Sequence, residues 1–211
     1  EWRAVLMTGF KRVVITGMGG VTSLGDDWAT ISDNFRHNRS GIRYMPGWDL
    51  YPDMNTRLGG PLSDFTVPAH WSRKQLRSMS PVSQYAVYAA ERALADAGLL
   101  GNPDIADGRM GVACGSSTGS PQEVKVFGNM LLNQVAHGLN ANSYVRMMPH
   151  TTAANISIFF GLKGRVIPTS SACTSGSQGI GYAYEAIKFG RIPMMLAGGS
   201  EELCATEAMV F

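Results

Sequence analysis

The chain is poor in the residues that would staple or ligate it. Among 211 residues there are three cysteines, Cys114, Cys173 and Cys204, an odd number at wide spacing. That pattern fits neither a disulfide framework nor a C-x-x-C metal site, and reduced thiols are the simpler reading. Long apolar runs are missing too. None approaches the roughly 20 residues that cross a bilayer, and no basic stretch followed by an apolar one opens the chain. A cytoplasmic protein without membrane contact is therefore expected. Charge of one sign is scarce: 18 Lys and Arg against 16 Asp and Glu leave a net charge of +2. With no long basic run and no basic stripe interleaved with aromatics, nucleic acid is not an expected partner. Internal repeats and low-complexity linkers are absent from the sequence. What remains, 45% hydrophobic and 16% charged residues, is the composition of a globular chain long enough for one sizeable core. Residues 1–6 precede a methionine and follow no pattern, so they are expected to be foreign to the fold. The last residues, EELCATEAMVF, stop without a turn or cap signal, as expected of a chain cut in mid-fold.

Short apolar runs alternate with helix-length amphipathic stretches, which is the pattern of an α/β fold. RVVITGMG (12–19) is β-branched and then glycine-rich, and predicts a buried strand entering a tight turn. DDWATISDNFRHN then has helix-compatible spacing. SPVSQYAVYAAERALADAGL (80–99) is the clearest helix, with Tyr85, Tyr88, Ala89 and Arg92 at helical offsets and Gly98 as its stop. RMGVACGSSTGS repeats the strand-into-glycine theme, and a helix is expected from Pro121 through EVKVFGNMLLNQVAH. The threonines of PHTT are expected to cap an apolar helix over AANISIFFGL. A strand at GRVIPT, a helix through SQGIGYAYEAIKFG and a strand at PMMLAGGSEE complete the reading.

PTSSACTSGSQGIGYA (168–183) places Cys173 between the strand at GRVIPT and the helix after it. A thiol on such a strand-to-helix turn lies at a helix N-terminus, where unpaired N–H groups and the helix dipole favour an anion. Thiolate is the reactive form of cysteine, and helix N-termini are among the settings that lower a thiol's pKa. The same amides can bind the oxyanion formed when a thiolate attacks a thioester carbonyl. The small neighbours Ser170, Ser171, Ala172, Ser175 and Gly176 leave room for an acyl group over the sulfur. From the residues alone a second reading stands beside this one: a free cysteine packed as a small buried hydrophobe.

SSACTSG (170–176) followed by a small-residue helix resembles the active-site segment of the β-ketoacyl-acyl-carrier-protein synthases, the condensing enzymes of fatty-acid synthesis. KRVVITGMGGVTSLG resembles their opening, GVACGSSTGSPQE their central Gly/Ser-rich segment, and AGGSEELC the segment after the active-site helix. Four landmarks in the same order span nearly the whole chain. SSAC and GGSEELC look closer to the elongating synthases of types I and II than to the initiating type III enzymes or the thiolases. The resemblance implies a thiolase-like fold, made of two similar α/β halves with a mixed sheet layered between helices, of which residues 1–211 form the first. It implies Cys173 as a nucleophile that takes an acyl group from a thioester, with its backbone N–H in the oxyanion hole. Malonyl-carrier protein then binds and decarboxylates, and the carbanion attacks the acyl-enzyme. Two histidines and a lysine support that second stage in the family, and all three are expected beyond residue 211. The partners implied are acyl carrier protein, acyl and malonyl thioesters, and a second copy of the chain in a homodimer. No metal or cofactor is implied.

His37, His70, His137 and His150 are accordingly not read as substitutes for the missing histidines. His150, in MMPHTTAAN, is read as a hydrogen-bonding or capping residue. Cys114 is expected in the core and Cys204 in a structural role. Glu201 and Glu202 look like paired carboxylates, but adjacent residues do not face each other on a helix or strand, so buried polar support or solvated charge is expected. In SRKQLRSM, Arg73, Lys74 and Arg77 cluster their charges at helical offsets, and similar basic residues in the family dock the acidic carrier; a merely solvated helix face is the other reading. Met147, Met148, Phe159 and Phe160 are candidates for an acyl pocket or a dimer interface, and equally for core. Two rival functions remain. GMGGVTSLG after a strand partly matches G-x-G-x-x-G, but the sixth position from Gly17 is Thr22 and no acidic residue follows at the right distance, so a nicotinamide-dependent oxidoreductase has little support. A non-catalytic scaffold half of a ketosynthase-like complex is the other.

Overall fold

The computed structural model describes residues 9–62 and 64–211, so the expectation for residues 1–6 falls outside the described chain. The first helix, α1 (Trp28–Arg36), begins where Asp27 accepts a hydrogen bond from the Thr30 amide. The Thr30 hydroxyl, and then its amide, hold the Asp27 carboxyl below the ordinary carboxylate range. Two short strands, β1 (Arg43–Tyr44) and β2 (Leu58–Gly59), pair antiparallel in a sheet of their own. A single turn, α2 (Arg73–Leu76), is closed by a reciprocal capping box between Ser72 and Gln75. The long helix α3 (Pro81–Asp96) follows, and Gly98, at φ +68°, ends it with the left-handed turn that glycine adopts at no steric cost.

Strand β3 (Met110–Gly115) is buried along its whole length. Helices α4 (Pro121–Asn133), α5 (Ala141–Met147) and α6 (Thr151–Phe160) come next, then β4 (Val166–Thr169), α7 (Ser175–Lys188), β5 (Met194–Gly199) and α8 (Ala205–Val210). The main sheet has the order β4-β3-β5, all parallel, with Cys114 opposite Pro168 on one side and Gly198 on the other. Parallel strands need helical crossovers that cover both faces, and β3 has that cover. Met110, Val112 and Cys114 face the apolar core with Ala153 and Ile156 of α6 and Val87, Ala90 and Leu94 of α3. Ala113, on the opposite side of the pleat, lies under Gly179 of α7.

Three expectations need correction. Residues 12–19 form no strand: they cross the outside of α3, with Val14 and Ile15 exposed and no ladder partner among the described residues. Gly17 and Gly19 make that contact close, since a Cβ on either would stand 2.3 Å from a carbonyl oxygen of α3. These glycines therefore serve helix packing, and no helix starts on them as a dinucleotide fingerprint requires. The buried face of α3 carries Val82, Ala86, Val87, Ala90 and Leu94, whereas Tyr85 and Tyr88 are half-buried and hold Phe65 edge-to-face. The threonines do not cap α6. The Thr151 hydroxyl donates to the Met148 carbonyl, Thr152 Oγ1 has no partner, and His150 at the N-cap makes no capping bond. Finally, the main sheet is wholly parallel among the described residues rather than mixed, the antiparallel pairing being confined to β1 and β2.

Candidate active site

Cys173 sits between β4 and α7, on the turn the sequence predicts, and its side chain is exposed. The turn is built from hydroxyls. Thr169 Oγ1 donates to the Ser175 carbonyl at 2.7 Å, Ser175 Oγ donates to the Ala172 carbonyl at 2.6 Å, and the Ser171 amide donates to Ser175 Oγ at 2.9 Å. Thr174 Oγ1 donates to the Ser171 carbonyl at 2.7 Å. These bonds close the turn on itself and leave no side chain capping the first amides of α7. In this α7 resembles α3, α4 and α6, whereas α1, α2, α5 and α8 have a capping side chain at their N-termini. The Thr174 and Ser175 amides are taken by the Ser171 and Ala172 carbonyls, which leaves the Gly176 and Ser177 amides and the dipole end of α7 to receive negative charge.

Ala172, just before the cysteine, has φ +51°. A side-chain-bearing residue in this left-handed region costs roughly 1–2 kcal/mol, so the surrounding bonds hold the turn in a shape the backbone does not choose by itself.

Glycines set the height of α7 on the sheet. A Cβ on Gly179 would lie 2.7 Å from the Ala113 carbonyl oxygen and 3.1 Å from that of Gly198. Gly199 meets Gly176 so closely that a Cβ would stand 2.9 Å from the Gly176 Cα. The first turn of α7, with Cys173 just ahead of it, therefore rests directly on the exit of β5.

The other candidates fall in different places. Cys114 is in the core, where burial pushes its thiol up to about 12, well away from reactive thiolate. Cys204 is half-buried at the N-cap of α8, where its sulfur accepts from the Glu207 amide. Arg73, Lys74 and Arg77 are all exposed on and beside α2, and none forms an ion pair among the described residues. Phe159 and Phe160 pack against the core cluster, Phe159 with its ring 5.1 Å from that of Trp71. Met147 and Met148 are half-buried, and the Met147 carbonyl accepts from the Ser120 amide. His70 meets Glu91, His37 meets Asp33, and no histidine hydrogen-bonds into the Cys173 turn among the described residues.

Glu201 and Glu202 diverge, as adjacent residues should. Glu201 accepts from Ser116 Oγ at 2.8 Å and the Ser117 amide at 2.7 Å. Glu202, only 3% exposed, accepts from Ser120 Oγ at 2.8 Å, and burial pushes its carboxyl above the ordinary range. The sequence reading did not anticipate the strained Ala172, which no residue pattern announces. It also left out α5, although Asn140 and Ser143 are spaced as a capping pair that signals a helix start.

Comparison with known proteins identifies the family and the fold. Residues 10–211 match the family model described as "Beta-ketoacyl synthase, N-terminal domain". The 3-oxoacyl-[acyl-carrier-protein] synthase 2 of Staphylococcus aureus (strain COL) is 32% identical over 191 residues, which cover 90% of this chain and 46% of that protein. A crystal structure of a β-ketoacyl synthase from Burkholderia phymatum STM815 superimposes with a TM-score of 0.92 at 56% identity, over 95% of this chain and 49% of that one. A type II polyketide-synthase acyl-carrier protein in complex with its ketosynthase bound to the hexaketide, AntDE:AntF, gives a TM-score of 0.74 at 26% identity, over 95% of this chain and 53% of that one. The chain thus spans about half the length of the proteins it matches. With the parallel sheet, the turn carrying Cys173 and the family model all covering the same residues, the chain belongs to the β-ketoacyl synthases and has the fold of the first thiolase-like half.

Proposed function

We propose that this chain accepts an acyl group on Cys173 from the thioester of an acyl carrier protein, as the first stage of fatty-acyl elongation by decarboxylative condensation with a malonyl thioester. The observation that carries this reading is the exposed Cys173 at the uncapped N-terminus of α7. In the transfer, the Cys173 thiol gives its proton to solvent and its sulfur attacks the thioester carbonyl carbon. The oxyanion that forms lies toward the amides of the turn, the Cys173 N–H among them. The carbon–sulfur bond to the carrier then breaks, and the departing carrier thiolate takes up a proton. One thioester is exchanged for another, and neither metal nor redox cofactor is needed.

The carrier is an acidic protein in the resemblance, and Arg73, Lys74 and Arg77 present three exposed cations for it, without ion-pair partners among the described residues. A ketosynthase neighbour in complex with its acyl-carrier protein supports this partner. Met147 and Met148 are the remaining candidates for the acyl chain or for contact with a second copy. Leu131 and Leu132 of α4 and Tyr144 of α5 add exposed apolar surface that a homodimer would cover. Condensation is not assigned to this chain by itself, because the two histidines and the lysine that support it in the family resemblance have no counterpart at the Cys173 turn among the described residues; purified alone, the 211-residue chain is expected to form no condensed product.

The test is transfer from an acyl-loaded carrier, followed as release of the carrier's free thiol. About one thiol per chain is expected with the wild type and none with Cys173→Ala. Lys74→Glu and Arg77→Glu should raise the apparent KM for the carrier-borne substrate and leave a small acyl thioester unaffected. Thiol release that persists without Cys173 refutes the assignment.

A further inference from the structure

The two carboxylates at the exit of β5 are not explained by acyl transfer, yet they hold the surface on which the nucleophile's helix rests. Glu202 is buried beneath two helix N-termini that their own N-cap serines leave uncapped. Ser80 Oγ, at the start of α3, has no partner, and Ser120 Oγ, at the start of α4, donates to Glu202 instead of capping its own helix. The Val82 and Gln122 amides, in the first turns of α3 and α4, favour the charged form of the same carboxyl, but its Oε1 has no hydrogen-bond partner among the described residues. Beside it, Ser200 Oγ donates to the Val82 carbonyl at 2.8 Å and the Ser200 amide donates to the Gly115 carbonyl at 3.0 Å. Glu201 fastens the same exit to Ser116 and Ser117 after β3. Residues 199–202 are thus tied to α3, to α4 and to the loop after β3. Gly199, at the head of this stretch, is the residue against which Gly176 of α7 is seated, three positions after Cys173.

We infer that Glu202 is a positioning residue for Cys173: its buried carboxyl ties the exit of β5 to the start of α4 through Ser120, beside the Ser200 tie to α3, and so fixes the ledge that holds the first turn of α7 under the thiol. The carboxyl acts through the Ser200–Gly199–Gly176 contact. Loosening it lets the helix start shift relative to Cys173, and displacements of this order are costly to a reaction that depends on aligned amides. This role rests on the reading of Cys173 as the nucleophile, but its test needs no acyl substrate.

The test is the alkylation rate of Cys173 by iodoacetamide, resolved by peptide mass so that Cys204 and Cys114 of the same molecule serve as references. Glu202→Gln, which is isosteric, and Glu202→Asp, which keeps the charge but withdraws it by one methylene, should each slow Cys173 by roughly tenfold. Cys204 should keep its rate and Cys114 should stay protected. A purely structural role would lower the melting temperature without changing the Cys173 rate well below it. Rates at Cys173 within twofold of wild type in both variants overturn the inference. If Glu202→Gln uncovers Cys114, that variant has loosened the whole core, and the rate in Glu202→Asp decides by the same criterion. A wild-type Cys173 that alkylates readily but never accepts an acyl group contradicts the acyl-transfer reading and leaves the positioning role intact.

Discussion

Two glycines in α7 predict opposite responses to the same substitution. Gly181 has open space where a Cβ would stand, so Gly181→Ala adds only helix propensity, about 1 kcal/mol of stabilisation. Gly179→Ala makes the same gain but drives its Cβ to 2.7 Å from the Ala113 carbonyl and 3.1 Å from the Gly198 carbonyl. Both are backbone atoms of β3 and β5, locked in the parallel ladder between those strands, and cannot yield as a side-chain tip would. Overpacking of this kind costs about 1–3 kcal/mol, and a contact with fixed backbone belongs at the upper end, which leaves Gly179→Ala a net loss of about 2 kcal/mol. The two variants should therefore differ by about 3 kcal/mol, or roughly 6–12 °C in melting temperature for a chain of this size. Far-ultraviolet circular dichroism at 222 nm during a thermal scan reads the order directly: Gly181→Ala above wild type, Gly179→Ala below. Coincident midpoints, or a Gly179→Ala protein that melts higher, would refute the claim that α7 is seated on the sheet through Gly179.

Three further perturbations test other parts of the account. Ala172→Val puts a β-branched side chain at φ +51°, where even alanine is disfavoured, and should cost about 1–2 kcal/mol while slowing alkylation of Cys173. Leu94→Ala empties a position only 1% exposed in the core between α3 and β3 and should cost about 3 kcal/mol in urea unfolding. The raised Glu202 carboxyl predicts a particular pH dependence. Between its ordinary value of 4.5 and its higher folded value, the native state keeps a proton that the unfolded chain has released, so stability falls as pH rises through that window. Burial is the main cause, with the nearby Glu123 charge adding to it and the Ser120 hydroxyl opposing it. Glu202→Gln should remove that slope in a pH series of urea midpoints, and an unchanged slope would contradict it.

How much of this was legible in the sequence varies with the kind of signal. Periodicity and glycine stops located α3 and β3, because a helix of sixteen residues and a wholly apolar strand leave strong patterns. The turn around Cys173 was legible because small and hydroxyl-bearing residues between a strand and a helix have few other uses. RVVITG misled for a physical reason: β-branched residues favour extended backbone, but a strand exists only when a partner completes its ladder, and among the described residues none lies beside residues 12–19. Thr151 and Thr152 misled similarly, since a hydroxyl can donate backward to a carbonyl, as Thr151 does, as well as accept from an amide. The pairing of Glu202 with Ser120 could not be read at all, because it joins residues 82 positions apart at a buried site.

The central claim, that Cys173 is the acyl acceptor, is tested most directly by the intact mass of the chain after incubation with a long-chain acyl thioester, beside a Cys173→Ala control. The account predicts a single acyl adduct on the wild type, mapped to the peptide that holds Cys173, and none on the control. An unmodified wild type, or an adduct that survives in Cys173→Ala, would contradict it and bring the scaffold reading forward.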